Sequence, residues 1–194
     1  MNFDLSENQE LFKSTAERFL QTVDVADRIR QRKTELGYDT SRWSALAELG
    51  LLAIAADEQH GGMSGTISDL ATIAQTFGRQ NAIDPWLENG ALPTLIAGKS
   101  GAANILDALL DGSKIAAVAF AEPKGRYELA PKFTTAVRKG DSYEISGAKE
   151  FVLGGRIADL LFVTAKTDEE FGIFAIPMDA ERVIPRYYLS LIHI

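Results

Sequence analysis

The sequence contains no cysteine among its 194 residues, which excludes disulfide bonds, thiolate metal sites and cysteine nucleophiles. It also lacks a run of about 18 consecutive apolar residues, the length that a transmembrane helix requires. The first ten residues, MNFDLSENQE, are acidic and polar, unlike a secretory signal peptide. Together these absences predict a cytoplasmic protein without a membrane span.

Histidine is also scarce, since His60 and His193 are the only two. A histidine-based metal cluster is therefore not expected, and His60, which precedes two glycines, is interpreted as a loop residue. The sequence has no glycine-rich phosphate loop of the dinucleotide-binding or P-loop type. The formal net charge of −7 argues against a nucleic-acid partner, because such proteins need a basic surface.

Charge and proline are distributed unevenly along the chain. Residues 1–112 contain 9 basic and 16 acidic side chains, whereas residues 113–194 contain 11 of each. Four of the 6 prolines also follow residue 113. This shift in composition predicts two structural units, a first domain over 1–113 and a second over 114–188.

The first domain carries helical signals. Ser6 and Gln9 have the spacing of a capping box, in which each side chain satisfies a free N–H group of the first turn. Apolar residues then recur on one helical face: Phe12, Ala16, Phe19, Leu20 and Val23.

Further helices are expected along the same domain. A helix over 43–50 would start at Thr40 or Ser41, and a helix over 67–77 would end at Gly78. The buried apolar run 51–56 lies between these two helices. Shorter helical segments are predicted within 92–97 and 102–110.

The second domain carries strand signals. Its six β-segments are predicted over 114–120, 133–139, 143–145, 151–153, 160–165 and 171–176. Short strands that are closely spaced and joined by glycine-containing turns indicate an antiparallel barrel or sandwich. Helices followed by strands, rather than alternating with them, give the α+β class.

One loop concentrates groups that could bind a ligand. Residues 119–128 follow a predicted strand and bring proline, glycine, charge and an aromatic ring into a single turn. Binding residues are frequently found on such loops, although an ordinary strand connection has the same composition.

Five short motifs occur in the order and spacing of a known family. They are FDLSENQ at 3–9, ELGLLAI at 48–54 leading to EQHGG at 58–62, QTFGR at 75–79, AEP at 121–123 and SGAKEFV at 146–152. With them the chain resembles the N-terminal and middle domains of acyl-CoA dehydrogenases over nearly all of residues 1–188.

The resemblance implies a flavin-dependent reaction. In this family FAD lies between the β-domain and a C-terminal helical bundle, takes a hydride from the acyl β-carbon, and a glutamate of the bundle removes the α-proton. The sequence ends before such a bundle, so the β-domain is expected to be incomplete and no catalytic residue is assigned. Residues 189–194 do not resemble the family and are interpreted as a non-family tail.

The resemblance also implies partners and site residues. The expected partners are an acyl-CoA substrate, other subunits in a homo- or hetero-tetramer, and electron-transfer flavoprotein or a similar acceptor. Residues expected to bind FAD are Val118, Phe120, Ala121, Glu122, Phe151, Val152 and Leu153. Residues expected to bind the substrate are Arg126 and Tyr127, although Arg126 or Lys124 could instead meet a phosphate of FAD or CoA.

Three departures from the family pattern concern this site. Ala121 stands where the family has threonine, and Leu153 stands where it has a threonine or serine that hydrogen-bonds the flavin. The loop 124–128 replaces a run of small residues. These departures resemble the divergent small-subunit type, such as that of pimeloyl-CoA dehydrogenase. Three interpretations remain: part of an acyl-CoA dehydrogenase, a non-catalytic partner subunit, or a flavin oxidase or monooxygenase on the same scaffold.

Overall fold

The structure is a computed structural model that describes residues 4–22, 24–125 and 128–187. The chain divides into two compact units, one ending at Ile115 and the other starting at Ala116. None of the helices in these ranges has the length and apolar character needed to span a bilayer.

The N-terminal unit is helical. Its helices are α1 (Glu7–Leu20), α2 (Val25–Arg32), α3 (Thr40–Glu48), α4 (Ile67–Arg79), α5 (Leu92–Ser100) and α6 (Ala103–Leu110). A 3-10 turn lies at Glu58–His60, and a π-helix at Trp86–Ala91 leads into α5.

Helix α1 begins as the sequence predicts. The backbone N–H of Gln9 donates to Ser6 Oγ at 3.2 Å, and the N–H of Ser6 donates to Gln9 Oε1 at 3.0 Å, which completes the capping box. The predicted apolar face packs inward, with Ala16, Phe19 and Leu20 buried. Val23, the last member of that face, lies outside the described residues.

Other helix boundaries differ from the predictions. Asp39, rather than Thr40 or Ser41, caps α3, because its carboxylate accepts the N–H of Ser41 at 2.9 Å. Helix α4 continues through Gly78 to Arg79. Helix α2 has no counterpart in the predictions. It buries no residue, and its apolar side chains Val25 and Ile29 are exposed.

The core of this unit includes a buried ion pair. Arg42 donates to Asp84 from Nε at 2.7 Å and from Nη2 at 3.0 Å, while its Nη1 donates to Thr22. The Phe19 ring lies beneath the guanidinium, 4.1 Å from Cζ to the ring centre. This arrangement satisfies a charge that would otherwise be costly to bury.

The C-terminal unit is built around one sheet. Its strands are β1 (Ala116–Ala119), β2 (Thr135–Lys139), β3 (Ser142–Ser146), β4 (Leu160–Lys166) and β5 (Phe171–Pro177). β4 is central: it pairs parallel with β1 and antiparallel with β5. The β2–β3 hairpin joins β4 through one parallel pairing, Thr135 opposite Lys166.

The α+β class is confirmed, but the sheet is mixed rather than antiparallel throughout. The chain leaves β1, forms the β2–β3 hairpin and returns to lie beside β1 as β4, so β1 and β4 run in the same direction. The segment 151–153 is not a strand. Phe151 has φ +51° and Gly154 has φ +66°, and such left-handed residues break extended pairing.

Candidate functional site

The first predicted cofactor segment follows the end of β1. Val118 lies in β1, half-buried and paired with Phe162 of β4. Phe120 comes directly after the strand with 41% of its surface exposed, and Ala121 is half-buried. Glu122 differs from these neighbours because it is buried.

The Glu122 carboxylate is held by four hydrogen bonds. Its Oε2 accepts the backbone N–H groups of Lys132 at 2.7 Å and Phe133 at 2.9 Å. Its Oε1 accepts the N–H of Thr134 at 2.8 Å and Lys149 Nζ at 3.0 Å. The carboxylate therefore fastens the 132–134 segment, which leads into β2, to the end of β1.

These contacts set the charge of Glu122. Burial alone would raise the pKa of the carboxyl group, but the hydrogen bonds donated by Phe133, Thr134 and Lys132 outweigh burial and hold that pKa far below its ordinary value. Glu122 is accordingly an ionised structural acceptor at neutral pH. A carboxylate with such a low pKa and four donors is a poor general base.

Lys149 is the one side chain among the four donors to the Glu122 carboxylate. Its Nζ donates to the backbone oxygen of Phe120 at 3.1 Å, to Glu122 Oε1 at 3.0 Å and to Thr164 Oγ1 at 3.0 Å. Thr164 lies in β4 and is buried. The ammonium thus joins three separate stretches of the chain.

The structure brings the two predicted cofactor segments together. The N–H of Glu150 donates to the backbone oxygen of Ala121 at 3.0 Å, directly before Phe151. Phe151 is 49% exposed and Leu153 is 58% exposed, while Val152 is half-buried. Segments 120–122 and 151–153 therefore lie side by side, and each presents an aromatic side chain that is half-exposed.

The predicted substrate residues Arg126 and Tyr127 lie outside the described residues. The turn that precedes them is tight, since the N–H of Gly125 donates to the backbone oxygen of Glu122 at 2.8 Å. Lys124 is exposed and has φ +71°.

Sequence reasoning assigned no role to Lys149, Thr134 or Thr164. Lys149 stands inside the motif SGAKEFV at 146–152 and is opposite in charge to Glu122, and that pairing was the available signal. Gly147 belongs to the same arrangement. A Cβ at this position would lie 2.7 Å from both Cα and Oγ1 of Thr134, so the close approach requires glycine.

His60 belongs to the N-terminal unit, whereas the segments described above belong to the C-terminal unit. It belongs to the 3-10 turn and borders a surface cleft of about 470 Å³, together with Glu48, Asp107 and Asp111. Within the described ranges, no group of three or more His, Asp or Glu side chains is placed to hold a metal ion.

Comparison with known families identifies the chain. The family model for the acyl-CoA dehydrogenase N-terminal domain matches residues 6–96, and the model for the middle domain matches residues 117–188. The chain belongs to the acyl-CoA dehydrogenase family, and the resemblance drawn from the sequence is confirmed.

Curated relatives agree with this assignment. Cyclohex-1-ene-1-carbonyl-CoA dehydrogenase of Geobacter metallireducens is 29% identical over 177 residues, covering 87% of this chain and 46% of the relative. The chain spans less than half of the length of the curated relatives that it matches, between 39% and 46% for the first two.

Solved structures share the fold. A variant of the Tcur3481-Tcur3483 steroid ACAD superposes with a TM-score of 0.81 at 25% identity, covering 89% of this chain and 48% of that one. The FAD complex of PigA superposes with a TM-score of 0.77 at 24% identity, covering 91% and 49%. FAD is the cofactor of the family to which the chain belongs.

The residues present fit the flat ring system of FAD. Phe120, Phe151 and Leu153 expose apolar surface on two adjacent segments, and an aromatic ring system stacks on such surface. Ala121 and Leu153 supply no side-chain hydrogen-bonding group for the polar edge of the ring. The fit is therefore to the apolar face of the flavin.

Proposed function

We propose that the chain forms the N-terminal and middle domains, over 1–113 and 114–188, of a FAD-dependent dehydrogenase that oxidises an acyl-CoA thioester. The apposition of segments 120–122 and 151–153 through the Glu150–Ala121 hydrogen bond is the observation that carries this proposal. Two segments that the resemblance implies for FAD, 29 residues apart at Ala121 and Glu150, form one surface in the structure.

Each proposed cofactor residue has a distinct part. When bound, FAD accepts the hydride that leaves the acyl group. Phe120, Phe151 and Leu153 provide apolar contacts to its ring, with Val118, Ala121 and Val152 forming the backbone beside them. Glu122 holds the surface together and does not take the α-proton, because its carboxylate already accepts four hydrogen bonds.

The remaining features of the proposal concern the substrate and partners. Arg126 and Tyr127 are proposed to bind the acyl-CoA, as the resemblance implies, with Arg126 or Lys124 as the alternative contact to a phosphate of FAD or CoA. Electron-transfer flavoprotein or a similar acceptor is the proposed electron acceptor. We place this activity in the cytoplasm, in a homo- or hetero-tetramer.

Flavin binding and bleaching test the proposal. FAD is titrated into the purified full-length dehydrogenase that contains this chain while flavin fluorescence is recorded, and an acyl-CoA is then added without oxygen. We expect saturable FAD binding, followed by loss of the visible flavin absorption. Absence of FAD binding would contradict the proposal. Unchanged affinity of an Arg126→Ala variant for FAD and acyl-CoA would show that Arg126 contributes to the binding of neither.

A non-catalytic partner subunit is the second candidate. It is favoured by Leu153, an exposed apolar side chain where the resemblance implies a flavin-binding hydroxyl. Bleaching by acyl-CoA in the absence of another subunit would exclude this candidate. Bleaching that requires a catalytic paralogue would favour it, and oxygen consumption coupled to bleaching would favour an oxidase or monooxygenase.

A further inference from the structure

We propose that Lys149 is a positioning residue for flavin binding, whose buried ammonium group fixes segment 151–153 against segment 120–122. This inference rests on the proposed function, because it assigns the surface between these segments to FAD. Lys149 itself does not reach that surface, since its side chain is only 7% exposed.

The first step concerns the three hydrogen bonds that the ammonium group of Lys149 donates. A lysine ammonium has three N–H donors, and Nζ of Lys149 has three acceptors at 3.0 to 3.1 Å: Phe120 O, Glu122 Oε1 and Thr164 Oγ1. The acceptors come from the loop after β1 and from β4. Every donor of the ammonium group is therefore used in this arrangement.

The second step concerns the orientation of the peptide group of Phe120. Apolar residues can replace a buried ion pair without loss of stability, but they place no directional constraint on a backbone carbonyl. Lys149 donates to the carbonyl of Phe120, whose ring is half-exposed. The ammonium therefore orients the peptide that presents this ring.

The third step links Lys149 to Phe151. The N–H of the next residue, Glu150, donates to the oxygen of Ala121. Phe151 then has φ +51°, a conformation that is costly for a bulky residue and persists only where neighbouring contacts impose it. Lys149 and Glu150 supply such contacts immediately before it.

Substitution of Lys149 with methionine keeps an unbranched side chain that is one atom shorter and removes its donors. Lys139→Met is the matched control, because Lys139 Nζ pairs with Glu144 at 3.9 Å on the surface of the β2–β3 hairpin, with side chains 61% and 53% exposed. For each variant we measure the FAD dissociation constant by fluorescence, the visible circular dichroism of bound FAD, and amide exchange of Glu150 without FAD.

We expect Lys149→Met to bind FAD about tenfold more weakly, with an altered visible dichroism spectrum and faster exchange of the Glu150 amide. Lys139→Met should match the parent protein in all three. Unchanged affinity, spectrum and exchange in a folded Lys149→Met protein would overturn the inference.

Thr164→Val covers the case in which Lys149→Met does not fold, because it removes one of the three acceptors and retains the ion pair. We expect a smaller change in the same three measurements. If Thr164→Val matches the parent while Lys149→Met is unfolded, Lys149 serves only the fold and the inference fails. If the parent does not bind FAD, the proposed function fails, whereas the Glu150 amide still shows whether Lys149 joins the two segments.

Discussion

Lys149 Nζ lies 3.0 Å from Glu122 Oε1, and both side chains are more than nine-tenths buried. Removal of either charge would leave the other buried without a counter-ion, which typically costs about 3–5 kcal/mol. The pair connects the end of β1 to the segment before Phe151. Stability and shape of the proposed flavin surface thus depend on the same two residues.

Acid should weaken the C-terminal unit through Glu122. The pKa of this carboxyl is lower in the folded protein than its ordinary value of 4.5, so its stabilising effect is complete above that value and is lost as the pH falls towards the folded pKa. Glu122→Gln should be less stable than the parent at pH 7, and the difference should shrink in acid. Urea unfolding followed by far-UV circular dichroism at several pH values measures this.

Thr164→Val is the control for this comparison, because it weakens the same cluster without removing a titratable group. Its difference from the parent should persist as the pH falls below 4.5. A constant difference between parent and Glu122→Gln across the same range would contradict the prediction.

Gly147 should tolerate no side chain. Its φ of +151° is rare for other residues, and an added Cβ would lie 2.7 Å from Thr134 Cα. Gly147→Ala should therefore cost about 1–3 kcal/mol of unfolding free energy. Gly140→Ala is the matched control: Gly140 also has positive φ, +64°, but an added Cβ meets nothing within 4 Å. Equal losses of stability in urea unfolding would show that the contact with Thr134 is unimportant.

Local signals in the sequence predicted much of the fold. The Ser6–Gln9 capping box and the five strands β1 to β5 were found because their signals lie in adjacent residues. The parallel pairing of β1 with β4 depends on residues 40 or more positions apart and has no local signal. Segment 151–153 was expected to be a strand from its apolar composition, but the positive φ angles of Phe151 and Gly154, which have no signal in that composition, break extended pairing.

The candidate site was likewise predicted only in part from the sequence. Resemblance indicated both cofactor segments, and the structure places them side by side. Apart from the opposite charges of Lys149 and Glu122, the sequence has no signal for the contacts that hold them, because Thr134, Lys149 and Thr164 meet Glu122 or one another only through tertiary folding. Polar residues of this kind occur throughout the sequence, and only their burial distinguishes these three.

The Arg42–Asp84 ion pair should be a major determinant of stability in the N-terminal unit. Its side chains are 9% and 4% exposed, so Asp84→Ala would leave the Arg42 charge buried and should cost about 3–5 kcal/mol. Glu10→Ala breaks the exposed pair with Lys13 and should cost about 0–1 kcal/mol. Tryptophan fluorescence in urea reports on this unit, because Trp43 and Trp86 are the only tryptophans. Similar midpoints for the two variants would contradict the prediction.

Substitution of Phe151 should lower FAD affinity without lowering the free energy of unfolding. Glycine at this position would relieve the strain of φ +51°, which is about 1 kcal/mol or more for a non-glycine residue, and would remove a half-exposed ring. Phe151→Gly should therefore keep or gain stability in urea while its FAD affinity falls about tenfold. Most losses of binding through misfolding would lower both quantities, so opposite changes identify the ring as a ligand contact.

Phe171→Ala is the control for Phe151→Gly, because Phe171 is also about half-exposed, at 53%, but lies in β5. Its FAD affinity, measured by fluorescence titration, should match that of the parent. If Phe151→Gly binds FAD as tightly as the parent, the ring does not contact the flavin. The left-handed backbone at residue 151 would then serve only the turn between Lys149 and Gly154.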